Sequence, residues 1–353
     1  MSRFYKGREI RFFTINNRSS DPSEYWDSFR KLVALSDAND FDGLLCFSAN
    51  ETLIDPWMAG QYLMENSQRM VPIIAVNPIY MHPFAAAKMV SSLAYMYGRK
   101  TVLNLITGTS ARDREVLDDE ISHEERYERL GEYALLIKGL LSSKSVTRFD
   151  GQYYRIADAV LSPTPPADIF PDFLVAGHSA SARRIAERVK ATHLSMLSPD
   201  FSVKGTADGR RVGVHLGVIA AETDDAAWAL AEERFPDDPS MEGILDFMME
   251  TNDSAWKQAL YKQLISAENR APEFWLEPFR QMRGDCPYIV GSFKRVAQIL
   301  AQHIEAGVDW FIFDMPPIAE DFTNANLYIG EAFQQLAGRR LLHETKEVFI
   351  PRN

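Results

Sequence analysis

Short, continuous apolar runs recur along the chain and alternate with amphipathic stretches. The runs are 10–15 (IRFFTI), 43–48 (GLLCFS), 72–76 (PIIAV), 102–106 (VLNLI), 173–176 (FLVA), 192–197 (THLSML), 212–220 (VGVHLGVIA) and 310–315 (WFIFDM). Successive rather than alternate positions are apolar, the pattern of parallel strands covered on both faces. The stretches 23–39, 56–65, 83–96, 122–143, 179–189, 223–234, 292–306 and 323–340 place apolar residues at helical spacing. A repeating strand–helix order of this kind predicts an α/β chain forming one closed (β/α)8 barrel, with a doubly wound sheet as the alternative.

Two segments break the repeat. Residues 144–172, with RFDGQYYRI and SPTPPADIFP, predict a β-hairpin and a proline-rich connection. Residues 235–288 form a long insertion before the last barrel unit. Connections of that length in a compact domain are usually lids or linkers, and Trp256, Trp275 and Phe279 favour a lid. The whole of 1–353 is expected to be a single barrel domain carrying these two insertions.

Composition narrows the class. With 46% hydrophobic and 25% charged residues among 353, the chain has enough apolar material for a large core. A formal net charge of −11 argues against a nucleic-acid or anionic-membrane surface, both of which need clustered Lys and Arg. The start MSRFYKGREI lacks an apolar signal core, and no run of about 18 apolar residues occurs, so a cytoplasmic protein is expected. The two cysteines, Cys46 and Cys286, are far apart and lack metal-ligand neighbours in sequence, which argues against a disulfide framework, and no metal is expected. Cys46 reads as a packed core thiol.

In a parallel barrel the reactive face lies where the strands end. The fifth predicted strand runs into Gly177-His178-Ser179-Ala180-Ser181 and then into a helix. Hydroxyls and free backbone N–H groups there would suit a phosphate, although Ser179 or Ser181 could equally be a helix cap. Asn104 interrupts the fourth run, Thr107-Gly108 ends it, and an acidic loop follows. His123 and Tyr127, four apart, then share one helix face, so both can reach one ligand. His215 interrupts the seventh strand, where an imidazole serves either acid–base chemistry or core packing. Neither a G-x-G-x-x-G fingerprint nor a G-x-x-x-x-G-K-[ST] loop is present.

The segments 82–108 (HPFAAAKMVSSLAYMYGRKTVLNLITG), 123–141 (HEERYERLGEYALLIKGLL), 149–154 (FDGQYY) and 175–187 (VAGHSASARRIAE) resemble the bacterial luciferase-like flavin monooxygenases. AAETDDAAW (220–228) and FIPRN (349–353) make the alkanesulfonate monooxygenase branch the nearest match within that family. The resemblance implies a TIM barrel that binds FMN across its C-terminal mouth and uses reduced FMN with dioxygen to oxygenate a small organic substrate. Because no second nucleotide motif is visible, a separate NAD(P)H:flavin reductase is expected to supply the reduced flavin, and a homo-oligomer, dimer or tetramer, is expected. On this resemblance Asn104 and Thr107 would meet the flavin's polar edge. His123 and Tyr127 would reach the ribityl-phosphate region, and His178, Ser179, Ala180 and Ser181 would surround the phosphate. Phe12, Phe47 and Trp310 would wall the ring. A deazaflavin-dependent oxidoreductase on the same barrel and a flavin-binding barrel without catalysis are the alternatives.

Departures from the branch pattern shape the expected substrate. Glu51-Thr52-Leu53 stands where that branch has a cysteine, His215 and Gly217 stand where it has Arg and His, and Met315-Pro316-Pro317 replaces its Tyr and His. Arg283, in MRGDCPYIVG, resembles the branch's mobile-loop arginine. His215 and Arg283 are therefore the candidate catalytic residues, in a pocket expected to favour a neutral or partly charged substrate over simple alkanesulfonates.

Overall fold

A computed structural model describes residues 3–16, 21–47, 52–108, 111–142, 147–197, 205, 209–238, 241, 243–250, 252, 254–266, 270–271 and 274–348. Eight parallel strands close into a barrel: Arg11–Ile15, Gly43–Cys46, Val71–Val76, Val102–Leu105, Asp172–Ala176, Thr192–Met196, Val212–Ala221 and Trp310–Asp314. Each pairs in parallel with its sequence neighbour, and the ring closes where Trp310–Asp314 pairs with Arg11–Ile15. All eight apolar runs are therefore strands.

Side-chain alternation sorts these strands into an inner and an outer face. Phe13, Ile15, Leu45, Ile73, Val102, Leu174, Leu194, Trp310 and Ile312 come from strands alone and fill the barrel. Their neighbours face the helices: Leu103, Leu105 and Val175 pack with the helices Pro83–Tyr97 and His123–Ser142, while Cys46, Phe311 and Phe313 pack with Pro22–Ala38 and Phe293–Ala306. Cys46 is thus a core thiol. The expected aromatic wall changes accordingly. Phe12 stacks on Phe311 at 5.3 Å in the outer layer, and Trp310 opens its strand at the opposite end of the barrel, so only Phe47 stands near the mouth.

The helices begin where the strands have just ended, and short polar side chains set those starts. Asp21, Asp55, Ser179, Thr223 and Ser292 each accept a hydrogen bond from an N–H of the first turn. The helices Pro22–Ala38, Pro56–Asn66, Pro83–Tyr97, His123–Ser142, Ala180–Arg188, Asp224–Arg234 and Phe293–Ala306 match the amphipathic stretches. The last, Ala319–Val348, is longer than its apolar spacing predicted. Among the described residues no helix follows the sixth strand, and a short helix, Ala111–Val116, occupies part of the acidic loop. No helix of the described residues is long and apolar enough to cross a membrane.

The first insertion contains the antiparallel pair Thr147–Asp150 and Arg155–Ala159. Glu132 holds its turn by accepting from the N–H groups of Gln152 and Tyr153 at 2.8 and 2.9 Å. In the second insertion are the helices Ile244–Glu250, Ala255–Ile265 and Glu277–Arg280, and a strand, Tyr288–Ser292, follows it. That strand explains the length of the seventh barrel strand. Gly213–Gly217 pairs with the eighth strand inside the barrel, and Gly217–Ala221 continues upward to pair with Tyr288–Ser292. Trp228, Phe235, Trp275 and Tyr288 form an edge-to-face aromatic chain where the insertion meets this extension. Trp275 and Phe279 are buried, as a packed segment requires.

Candidate active site

At the C-terminal mouth the fourth strand presents Asn104 to the barrel interior, between Ala75 and Leu174 of its neighbours. The residue is 5% exposed, and its buried Oδ1 has no hydrogen-bond partner among the described residues. The strand then ends at half-buried Thr107 and at Gly108, whose φ of +76° favours glycine. A Cβ at Gly108 would lie 2.7 Å from the Asn77 amide nitrogen, so the ends of the third and fourth strands touch here. Asn77, 4% exposed, is a second mouth amide that sequence reasoning passed over. Its position after the buried run PIIAV was the available signal.

The next group lies between the fifth strand and the start of the helix His123–Ser142. His123 and Tyr127 rings are 5.0 Å apart, and a Cβ at Gly177 would meet the Tyr127 hydroxyl at 2.7 Å. Gly177 has φ +146°, so both space and backbone demand glycine. Ser179 Oγ accepts from Ala182 N–H at 3.1 Å, which makes it the N-cap of Ala180–Arg188. The N–H groups of Ala180 and Ser181 remain at the open end of that helix. Ser181 is 1% exposed, and its hydroxyl donates to both Glu124 carboxylate oxygens at 2.7 and 2.8 Å. That hydroxyl and then the Arg184 guanidinium hold the Glu124 carboxyl below its ordinary value. Arg183, exposed on the same turn, donates to the His178 carbonyl at 3.1 Å and has no carboxylate partner among the described residues. It adds positive charge beside the cap and was not foreseen.

His178 faces the sixth strand. Its Nε2 accepts from Met196 N–H at 2.9 Å and from the Ser195 hydroxyl at 2.8 Å. With Nε2 an acceptor, the neutral ring carries its proton on Nδ1. Burial, and then the charges of His193 and Arg183, push its pKa down. Nearby, His193 Nε2–H donates to the Gly177 carbonyl at 2.7 Å, and burial lowers that imidazole too. The two histidines thus fasten the fifth strand's end to the sixth strand.

On the opposite wall His215, 4% exposed, points inward from the seventh strand. Asp314 ends the eighth strand on the same face, and Cys286 Sγ lies 3.8 Å from Asp314 Oδ2. Gly217 has no side chain because the Tyr288 ring occupies that space. Met315 belongs to the outer layer rather than to the pocket. Arg283 is exposed, donates to the Arg234 carbonyl at 2.7 Å and lies 4.6 Å over the Phe235 ring. Phe235 meets Tyr288, so two rings separate Arg283 from Gly217. Asn104, Thr107, His123, Tyr127 and 177–181 are therefore brought to one side of the mouth, His215 to the other, and Arg283 to the base of the insertion. The position Glu51 and the segment FIPRN lie outside the described residues.

The family model described as Luciferase-like monooxygenase matches residues 10–309. The chain belongs to the luciferase-like monooxygenase family. A relative from Niallia circulans, the 4-(gamma-L-glutamylamino)butanoyl-[BtrI acyl-carrier protein] monooxygenase BtrO, is 29% identical over 314 residues, covering 87% of this chain and 91% of that protein. EDTA monooxygenase from Chelativorans sp. BNC1 has a similar fold, with a TM-score of 0.70, 14% identity and 94% of each chain covered. The oxygenating constituent of 3,6-diketocamphane monooxygenase of Pseudomonas putida, solved in complex with FMN, gives a TM-score of 0.66 at 14% identity, covering 90% of this chain and 96% of that one.

Proposed function

We propose that the chain binds reduced FMN across the barrel mouth and uses it with dioxygen to oxygenate a small organic substrate. The observation that carries this reading is Asn104 Oδ1, a buried acceptor without a donor, aimed into the mouth. A buried carbonyl left unpaired costs on the order of 1–3 kcal/mol, and an N–H on a flavin's pyrimidine edge would satisfy it. The rest of the mouth fits the same ligand. Gly177 lets Tyr127 approach the fifth strand's end, and the open N–H groups of Ala180 and Ser181, with Ser179 and Arg183, suit a phosphate.

Reduced flavin supplies the electrons that activate dioxygen; the residues of this chain hold it and exclude water. Asn104 and Thr107 orient the ring's polar edge. Tyr127 and His123 flank the chain leading to the phosphate. The insertion's packed aromatic chain closes one side of the mouth, and shielding from bulk water limits unproductive release of reduced oxygen. His178 ties the loop to the sixth strand through Nε2, so any contact with the phosphate falls to its Nδ1–H.

For the substrate, we infer a neutral or partly charged molecule, either free or carried on a protein as for the Niallia relative. Asp314 facing the mouth and the ring at Gly217 support this against the alkanesulfonate branch. Exposed Met58, Phe84, Tyr95 and Met96 on the helices Pro56–Asn66 and Pro83–Tyr97 support a homo-oligomer. A test of the whole reading is oxygen uptake with FMN and NADH. Uptake is expected only when a flavin reductase is added, and rapid NADH oxidation by the pure chain would overturn the two-component reading. Binding of reduced deazaflavin in preference to reduced FMN would overturn the cofactor assignment.

A further inference from the structure

Cys286, His215 and Asp314 come from three separate segments, yet their donor atoms all lie within 4.8 Å of one another. We propose that they form a binding site for a divalent cation of the zinc class in the wall of the barrel mouth. A tetrahedral zinc ion with bonds of about 2.3 Å to sulfur and about 2.0 Å to oxygen separates those two ligands by roughly 3.5 Å. Cys286 Sγ and Asp314 Oδ2 are already 3.8 Å apart. With His215 no more than 4.8 Å from either, side-chain rotation alone suffices to bring the three donors to that spacing.

His215 and Asp314 lie on barrel strands, and Cys286 stands two residues before the strand Tyr288–Ser292. Gly217, two residues beyond His215, pairs with Asp314 in the barrel ladder. Gly217 N–H also donates to the Pro287 carbonyl at 2.9 Å, which ties the residue after Cys286 to the same strand. Gly284 packs against Pro278 and Tyr288, fixing the approach from the other side. A thiolate, an imidazole and a carboxylate together select a borderline cation over magnesium or calcium, which take oxygen alone.

Charge and access fit as well. Cys286 binds as thiolate, releasing its proton to solvent, so thiolate and carboxylate balance the two charges of the ion. His215 and Cys286 are buried, whereas Asp314 is partly exposed and leaves a way in from the mouth. Three protein ligands leave one position open toward the pocket, where water or an oxygen of the substrate completes the shell. With the ion in place His215 is a ligand and holds no transferable proton.

The site is tested on the full chain without flavin, which keeps its outcome separate from that of FMN binding. After treatment with chelator, the protein is titrated with cobalt(II) as a coloured stand-in and with zinc, and bound metal is counted by mass spectrometry. About one cation per chain, a thiolate-to-cobalt charge-transfer band and a raised melting temperature are expected. Cys286→Ser should abolish the band and the occupancy, and Asp314→Asn should weaken binding at least tenfold. Cys46→Ser, in the outer layer, should leave both intact. If Cys286→Ser fails to fold, His215→Gln with an unchanged circular dichroism spectrum must show the same loss of occupancy. Absence of the band in the wild-type chain, or an equal band in Cys286→Ser, would overturn the proposal.

Discussion

Asn104 and His178 show how single polar groups in the barrel mouth divide into those that await a ligand and those already satisfied. Asn104 keeps a buried acceptor without a donor, so replacing it with an apolar residue of similar size removes a liability of the free protein. Asn104→Leu should therefore keep or slightly raise the melting temperature while weakening reduced FMN about tenfold, or roughly 1.4 kcal/mol. Anaerobic fluorescence titration reads the affinity, and undiminished FMN binding would remove Asn104 from the site. His178 behaves oppositely. Its neutral ring accepts from Met196 N–H, and burial holds its pKa below the ordinary 6.5. Because the folded value is the lower one, the stabilisation is present above about pH 6.5 and is lost as pH falls through the folded value. Melting temperature should drop between pH 7 and 5, and His178→Gln should flatten that drop. A wild-type curve with no acid loss would refute the assignment. Cys286, His215 and Asp314 were not legible as a group, because positions 215, 286 and 314 meet only through the pairing of the seventh and eighth barrel strands and the pairing of Gly217 with Tyr288.

At the scale of elements, the helix Ala180–Arg188 allows stability and binding to be separated. Ser179 both caps it and stands where an anion would sit. Asp caps a helix as well as Ser does, so Ser179→Asp should leave stability nearly unchanged and yet weaken FMN strongly by placing like charge at the phosphate. Ser179→Ala should instead lower stability by about 1 kcal/mol with a smaller effect on FMN. Equal FMN affinity in the Ser179→Asp variant would leave Ser179 as a cap alone. The elements themselves were largely legible. Strands covered on both faces show as unbroken apolar runs, and all eight appear in the barrel. The apolar run 212–220 did not reveal that its strand serves two ladders, because burial on both faces looks the same whether the partner is the barrel or Tyr288–Ser292. Phe12 and Met315 were misplaced for a related reason. In a two-sided strand, composition gives no hint of which face is inner, and only the register assigns it.

For the whole molecule, substrate choice follows from charge gathered at one point by distant parts of the chain. A net charge of −11 already disfavours anions at long range, and in the cation-free chain the mouth adds Asp314 to that field. A sulfonate is a fixed anion, and burying it without matched donors costs several kcal/mol. The cation best placed to help by sequence, Arg283, is exposed, stacked on Phe235 and two rings away from Gly217. Rotating it inward would break its bond to the Arg234 carbonyl and its contact with the Phe235 ring. Short and medium alkanesulfonates should accordingly release little or no sulfite in the presence of reduced FMN and oxygen, while a neutral carbonyl or amine panel should increase oxygen uptake. In the chelator-treated chain Asp314→Asn, by removing the opposing charge, should raise any residual sulfonate turnover. Efficient sulfite release by the wild-type chain, abolished in Arg283→Ala but retained in His215→Ala, would mean that the insertion swings Arg283 over the mouth and that the anion is held from above rather than from the barrel wall.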